Sequence, residues 1–222
     1  MQHEITQAIP LLDEQGELTQ PGWARRLLPV YDRSRVRGGP LRLKERDCYL
    51  VMNRQCALAL TISDNRYMGM DSISLIDLWE GWQVTRSPMR LMPLGGTGLP
   101  QSSLRGSCAR AGRGYGLLFQ HEGEGRTLHA HMDRVRDGQA LDAQILLTQE
   151  PEESIVMCTP FEKPGQFYYN QKINCMRAQG KVTLGDREYV FDPEDSFAVL
   201  DWGRGVWTCR GTWYWGSASG MV

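Results

Sequence analysis

In residues 127–132 and again in 141–147 apolar side chains fall at every second position. Leu128, Ala130 and Met132 alternate with Thr127, His129 and His131, and Leu141, Ala143, Ile145 and Leu147 alternate with Asp142, Gln144 and Thr148. Successive side chains on a strand point to opposite faces, so a strict period of two demands half-buried β-strands and is incompatible with the 3.6-residue repeat of an amphipathic helix. The same reading extends to residues 49–52 and 57–62, joined by Asn53-Arg54-Gln55, and to residues 67–76 after the turn at 63–66. Together with residues 116–120 these segments predict an all-β chain built on antiparallel meanders.

The intervening segments divide the chain. Residues 1–22 carry Pro10, Gly16, Pro21 and Gly22 and read as an extended N-terminal arm; residues 23–31 hold one helical turn before Pro29 interrupts it. Residues 86–114 are rich in Gly, Pro and Ser, which predicts a long loop. The organisation expected is an N-terminal β-domain with its arm (1–94), a Gly/Ser-rich loop or linker (95–115) and a second β-region (116–222).

Charge and composition exclude several function classes. The 25 basic and 26 acidic residues nearly cancel, which gives no reason to expect a nucleic-acid partner. No apolar run approaches the roughly 18 residues of a membrane-spanning helix, and the first residues lack the basic start and apolar core of a signal peptide, so a cytoplasmic protein without stable membrane insertion is expected. The six cysteines are scattered without CxxC spacing and read as reduced, buried thiols. His129 and His131 share a strand face and could chelate a metal, but spacing supplies no third ligand; an outward polar face is favoured, and no metal or cofactor is expected. Residues 25–46 hold eight basic residues against Asp32 and Glu45, read either as a solvated face paired with acids elsewhere, which is favoured, or as a patch for phosphate or anionic lipid. No P-loop, dinucleotide fingerprint or nucleophile elbow is present.

Candidate chemistry concentrates near the end of the chain. Four of the seven tryptophans, Trp202, Trp207, Trp213 and Trp215, fall within residues 200–216 among glycines, which implies one aromatic assembly, either core or site wall. Residues 167–176 form a strand whose two faces both mix aromatic or apolar groups with amides: Tyr169 and Gln171 on one, Tyr168, Asn170 and Asn174 on the other. Buried amides need partners, supplied by an internal network or by a ligand. Asp201 is the candidate acid, with Glu162 as a second, and Arg204 three residues on is the expected partner of Asp201.

These blocks, Thr159-Pro160-Phe161-Glu162, residues 167–176, residues 199–207 and Trp213-Tyr214-Trp215-Gly216-Ser217, resemble the signature of the family catalogued as domain of unknown function 2804; Gln20-Pro21-Gly22-Trp23-Ala24 and residues 64–69 match as well, and residues 95–126 match poorly. That family is more distantly similar to lipocalin-like carotenoid hydratases and tocopherol cyclases. The resemblance implies antiparallel calycin or lipocalin-like barrels or half-open barrels, one or two, and a C-terminally shortened member, since relatives continue past the Trp-Tyr-Trp-Gly block. Three functions are compatible. In the first, an apolar or isoprenoid-like small molecule is bound in a β-barrel by Tyr168, Tyr169, Asn170, Gln171, Asn174, Trp202, Arg204, Trp207, Trp213 and Trp215. In the second, Asp201 or Glu162 protonates such a ligand in a hydratase- or cyclase-type reaction. In the third, Asp201, Arg204 and the tryptophans are structural core.

Overall fold

The computed structural model describes residues 3–208, 212 and 214–220. Among the described residues there are sixteen strands: β1 (Ile9–Pro10), β2 (Gly22–Ala24), β3 (Pro29–Val30), β4 (Lys44–Met52), β5 (Cys56–Asp64), β6 (Met68–Asp77), β7 (Trp82–Arg86), β8 (Met89–Leu91), β9 (Gly106–Gly112), β10 (Tyr115–His121), β11 (Arg126–Arg136), β12 (Gln139–Thr148), β13 (Ile155–Pro160), β14 (Phe167–Leu184), β15 (Arg187–Phe191) and β16 (Phe197–Gly205). One 3-10 turn, Arg33–Arg35, is the helical element among the described residues. None of it is long and apolar enough to cross a membrane.

A continuous path of hydrogen-bonded strands runs β7-β6-β5-β4-β16-β14-β12-β11-β10-β9. The β4–β8 meander and the β9–β15 region are thereby sewn together through β16, whose partners are β4 on one side and β14 on the other. The sheet curls until its ends meet without pairing. Tyr115 of β10 donates to Asp71 of β6 at 2.9 Å, and the Arg136 guanidinium lies 3.8 Å over the Trp82 ring. The result is a half-open barrel or sandwich; a closed barrel, one form expected from the resemblance, is not made.

The period-two segments supply the interior. Leu58, Leu60, Ile62, Ile73 and Leu75 from one half pack in a single cluster with Leu117, Phe119, Leu128, Met132, Leu141 and Ile145 from the other. Tyr49 meets Phe119 edge to face at 5.0 Å, joining the halves. Each such side chain contributes about 1.5–3 kcal/mol by burial.

Three local expectations change. The helical turn at residues 23–31 is absent: Trp23 pairs with Met157 of β13, and β3 runs parallel to β1. Tertiary pairing outweighs a weak local propensity already interrupted by Pro29. The predicted loop at 86–114 contains β8 and the edge strand β9, where only Cys108 is buried, so no apolar alternation marked it. The arm is fastened at its start, with Trp23 N donating to the His3 carbonyl at 2.9 Å and Ile5 N to the Trp23 carbonyl at 2.7 Å.

β14 is the hub. Its first half pairs with β13 and β16, its second with β12 and β15, and a bulge between Ile173 and Met176 separates the two. Cys175 sits in that bulge at a left-handed φ of 60°. The extra residue re-aims the strand beyond Ile173, while residues 167–171 ahead of it are buried on both faces.

Candidate functional site

Alternation along β16 places Asp201, Gly203 and Gly205 on one face and Leu200, Trp202 and Arg204 on the other. Asp201 and Arg204, three residues apart, therefore cannot pair, and the expected Asp201–Arg204 turn is replaced by two separate arrangements.

On the outer face, Asp201 stands directly across from Lys172 of β14, and Arg46 stands across from Gly203 on β4. Lys172 Nζ donates to one carboxylate oxygen of Asp201 and Arg46 Nη2 to the other. The Asp201 side chain is only 12% exposed, so both bonds are partly shielded from water. Burial lowers the Lys172 pKa, with Asp201 opposing the shift. Burial also works against the Arg46 charge, but the attraction of Asp201 prevails and its pKa is raised.

Aromatic rings adjoin this trio. Tyr168 packs edge to face on Trp207 with centroids 4.9 Å apart, Lys44 Nζ lies 5.1 Å over Trp207, and Lys172 Nζ lies 5.7 Å from the Trp215 centroid. Burial pushes the Tyr168 hydroxyl up to about 12. Gly203 is required by proximity, because a Cβ there would meet Tyr168 Oη at 2.8 Å. Asn170 is buried, and Asn174 Oδ1 is buried with no hydrogen-bond partner among the described residues.

The inner face is an ionic network. Arg204 is fully buried, with Nη1 2.8 Å from Asp47 Oδ1 and Nε 3.6 Å from Glu45. Its aligned hydrogen bonds go instead to the carbonyls of Arg46, Gly203 and Pro100. The guanidinium stacks 4.3 Å over Trp202, and Trp202 meets Tyr169 edge to face at 5.3 Å. Tyr169 Oη donates to the Pro29 carbonyl at 2.7 Å. Gln171 accepts from Ser103 Oγ and donates to Ser154 Oγ at 2.8 Å. A cavity of about 20 Å³ beside Trp202, Asp47 and Arg126 has room for about one water.

The structure thus brings together Asp201, Tyr168, Trp207 and Trp215, and puts Tyr169, Gln171, Trp202 and Arg204 on the opposite side. Glu162 is exposed in the β13–β14 turn, and Trp213 lies outside the described residues. Sequence reasoning missed Lys44, Arg46 and Lys172 as site residues. The signal was the need of a half-buried carboxylate for in-register cations, legible only once strand pairing is known.

His129 and His131 line an open groove of about 500 Å³ across β10, β11, β12 and β14. His131 Nδ1 is 2.8 Å from Asp142 and Nε2 is 3.2 Å from Asp133, and the bond to Asp142 is the main cause of its raised pKa. No group of three metal-ligating side chains occurs among the described residues.

Fold and site together define an all-β protein with a half-open antiparallel sheet, a packed interior and a cationic-aromatic outer face. The chain belongs to the family described as Domain of unknown function (DUF2804), whose sequence profile matches residues 2–222. No curated protein matches it. A solved structure of a Nitrosomonas europaea protein provisionally named AttH is similar with a TM-score of 0.46 and 10% identity, over 81% of this chain and 56% of that one. The chain therefore spans little more than half the length of that protein.

Proposed function

We propose that this protein binds a small amphipathic molecule on the outer face of β4, β14 and β16, with an apolar, isoprenoid-like body against Tyr168, Trp207 and Trp215 and a polar end at Arg46, Lys172 and Asp201. The observation that carries this reading is the Asp201 carboxylate clasped by two cations beside a group of aromatic rings. Apolar surface and convergent polar groups side by side are the ordinary make-up of a small-molecule site. The packed interior argues against the barrel lumen as the binding place.

Binding is preferred to acid catalysis because both Asp201 oxygens are already engaged as acceptors of cationic donors. The five described cysteines are unpaired thiols, which fits a reducing, cytoplasmic setting. Native mass spectrometry of the purified protein should detect a copurifying apolar ligand. Tryptophan quenching should report binding of farnesol or dodecanoate, weakened about tenfold by Trp207→Ala, the order expected for losing one aromatic contact. No copurifying ligand together with no quenching by either probe would reject the reading.

A further inference from the structure

The basic segment at residues 25–46 borders a concave part of the surface. An open cleft of about 490 Å³ is lined by Arg33, Val36, Arg37, Gly38, Gly39, Pro40, Leu43, Arg66 and Leu94. Three of these are arginines, and no carboxylate is among them.

Two of the three, Arg33 and Arg66, are held in place. Arg33 Nε contacts both oxygens of Glu45 at 3.0 and 3.1 Å, and its Nη2 donates to the Leu99 carbonyl at 2.6 Å. Arg66 occupies the β5–β6 turn at a left-handed φ of 67°; Asp64 accepts its N–H at 2.8 Å, and its Nη1 donates to the Leu94 carbonyl at 2.6 Å. Leu94 is itself left-handed at φ 52°, and Gly95 leaves the space Arg66 fills, since a Cβ there would meet Arg66 Cζ at 2.6 Å. Backbone strain persists where surrounding structure over-determines it, and here it aims a guanidinium into a cleft. Arg37 is exposed, and its only hydrogen bond among the described residues is a 3.4 Å contact to the Glu14 carbonyl.

The local charge does not balance. Glu45 beneath the cleft is shared by Arg33, Arg66 at 3.9 Å and Arg204 at 3.6 Å, while Asp47 reaches Arg204. Asp64, behind Arg66, bonds to neutral donors, Gly95 N and Thr97 Oγ1 among them. Four guanidinium groups thus face three carboxylates, all set away from the open side. Planar forks fixed around an acid-free cleft suit an oxyanion with several acceptor oxygens. The volume exceeds a bare anion, and Val36, Leu43 and Leu94 offer apolar surface.

We propose that this cleft, separate from the Tyr168–Trp207 face, binds an organic phosphate, with the phosphate group at Arg33, Arg37 and Arg66 and its apolar body along Val36, Leu43 and Leu94. The phosphate could belong to a soluble monoester or to a lipid headgroup. Calorimetric titration of the full chain with hexyl phosphate, and co-sedimentation with phosphatidylcholine vesicles with and without phosphatidic acid, separate these sources. Arg37→Gln, at an exposed position, and Arg66→Lys should each weaken binding about tenfold, the effect of one lost charged contact. Hexyl phosphate binding alone assigns a soluble ligand; phosphatidic acid-dependent sedimentation lost in both variants assigns a headgroup. Binding of neither probe, or binding that Arg37→Gln leaves unchanged, overturns the proposal.

Discussion

Asp201 shows how much one carboxylate depends on its in-register neighbours. Lys172 is largely buried, and without Asp201 its charge would face Arg46 alone. Asp201→Asn is expected to destabilise the protein by about 2 kcal/mol, below the usual value for breaking a buried pair because the Arg46 side chain is only partly buried. Urea denaturation of Asp201→Asn, Lys172→Met and the double variant measures it, and the double variant should lose less than the sum of the singles. Additive losses would mean that the two groups are not coupled. The sequence singled out Asp201 but paired it with Arg204, although the alternation already recognised elsewhere in the chain forbids that contact. Arg46 and Lys172 lie 155 and 29 residues away from it, distances that no local pattern spans.

At the scale of single strands, the outward face of β11 and β12 carries a pH-sensitive contact. His131 and Asp142 are directly opposed across the ladder. Because the folded His131 pKa lies above its ordinary 6.5, the histidine contributes stability that is fully present below about pH 6.5 and is lost as pH rises through the folded value. Thermal denaturation across that window should show a fall in melting temperature that His131→Gln abolishes; an unchanged profile in the variant would remove His131 as its source. Strands such as β11 and β12 were legible because large apolar residues alternate with polar ones. β9 was not, since its residues are small or charged and it lies at a sheet edge. β2 and β3 were hidden for another reason: each is two or three residues long and exists only because a distant partner is present.

For the molecule as a whole, the buried network of Arg204, Glu45, Asp47 and Arg33 ties β4 and β16 to the segment preceding β4 and to Pro100. Arg204→Met would leave Glu45 and Asp47 short of a counter-charge and is expected to destabilise the fold by about 3–5 kcal/mol. Trp202 emission should change with it, as the guanidinium stacks on that ring. A loss below about 1 kcal/mol would show that the network is dispensable. The all-β class and the meanders could be read from sequence, whereas the joining of the two halves through β16 could not, because residues 197–205 are buried on both faces and show no alternation.

That joining strand bears on how the chain is made. Arg46 of β4 and Asp201 of β16 lie 155 residues apart in the chain, so at synthesis rates of about 5–20 residues per second β4 waits on the order of ten seconds for its partner. During that interval the finished β4–β8 meander presents an unpaired strand edge. A ribosome-bound intermediate stalled before residue 197 should therefore be a better chaperone client than the completed chain.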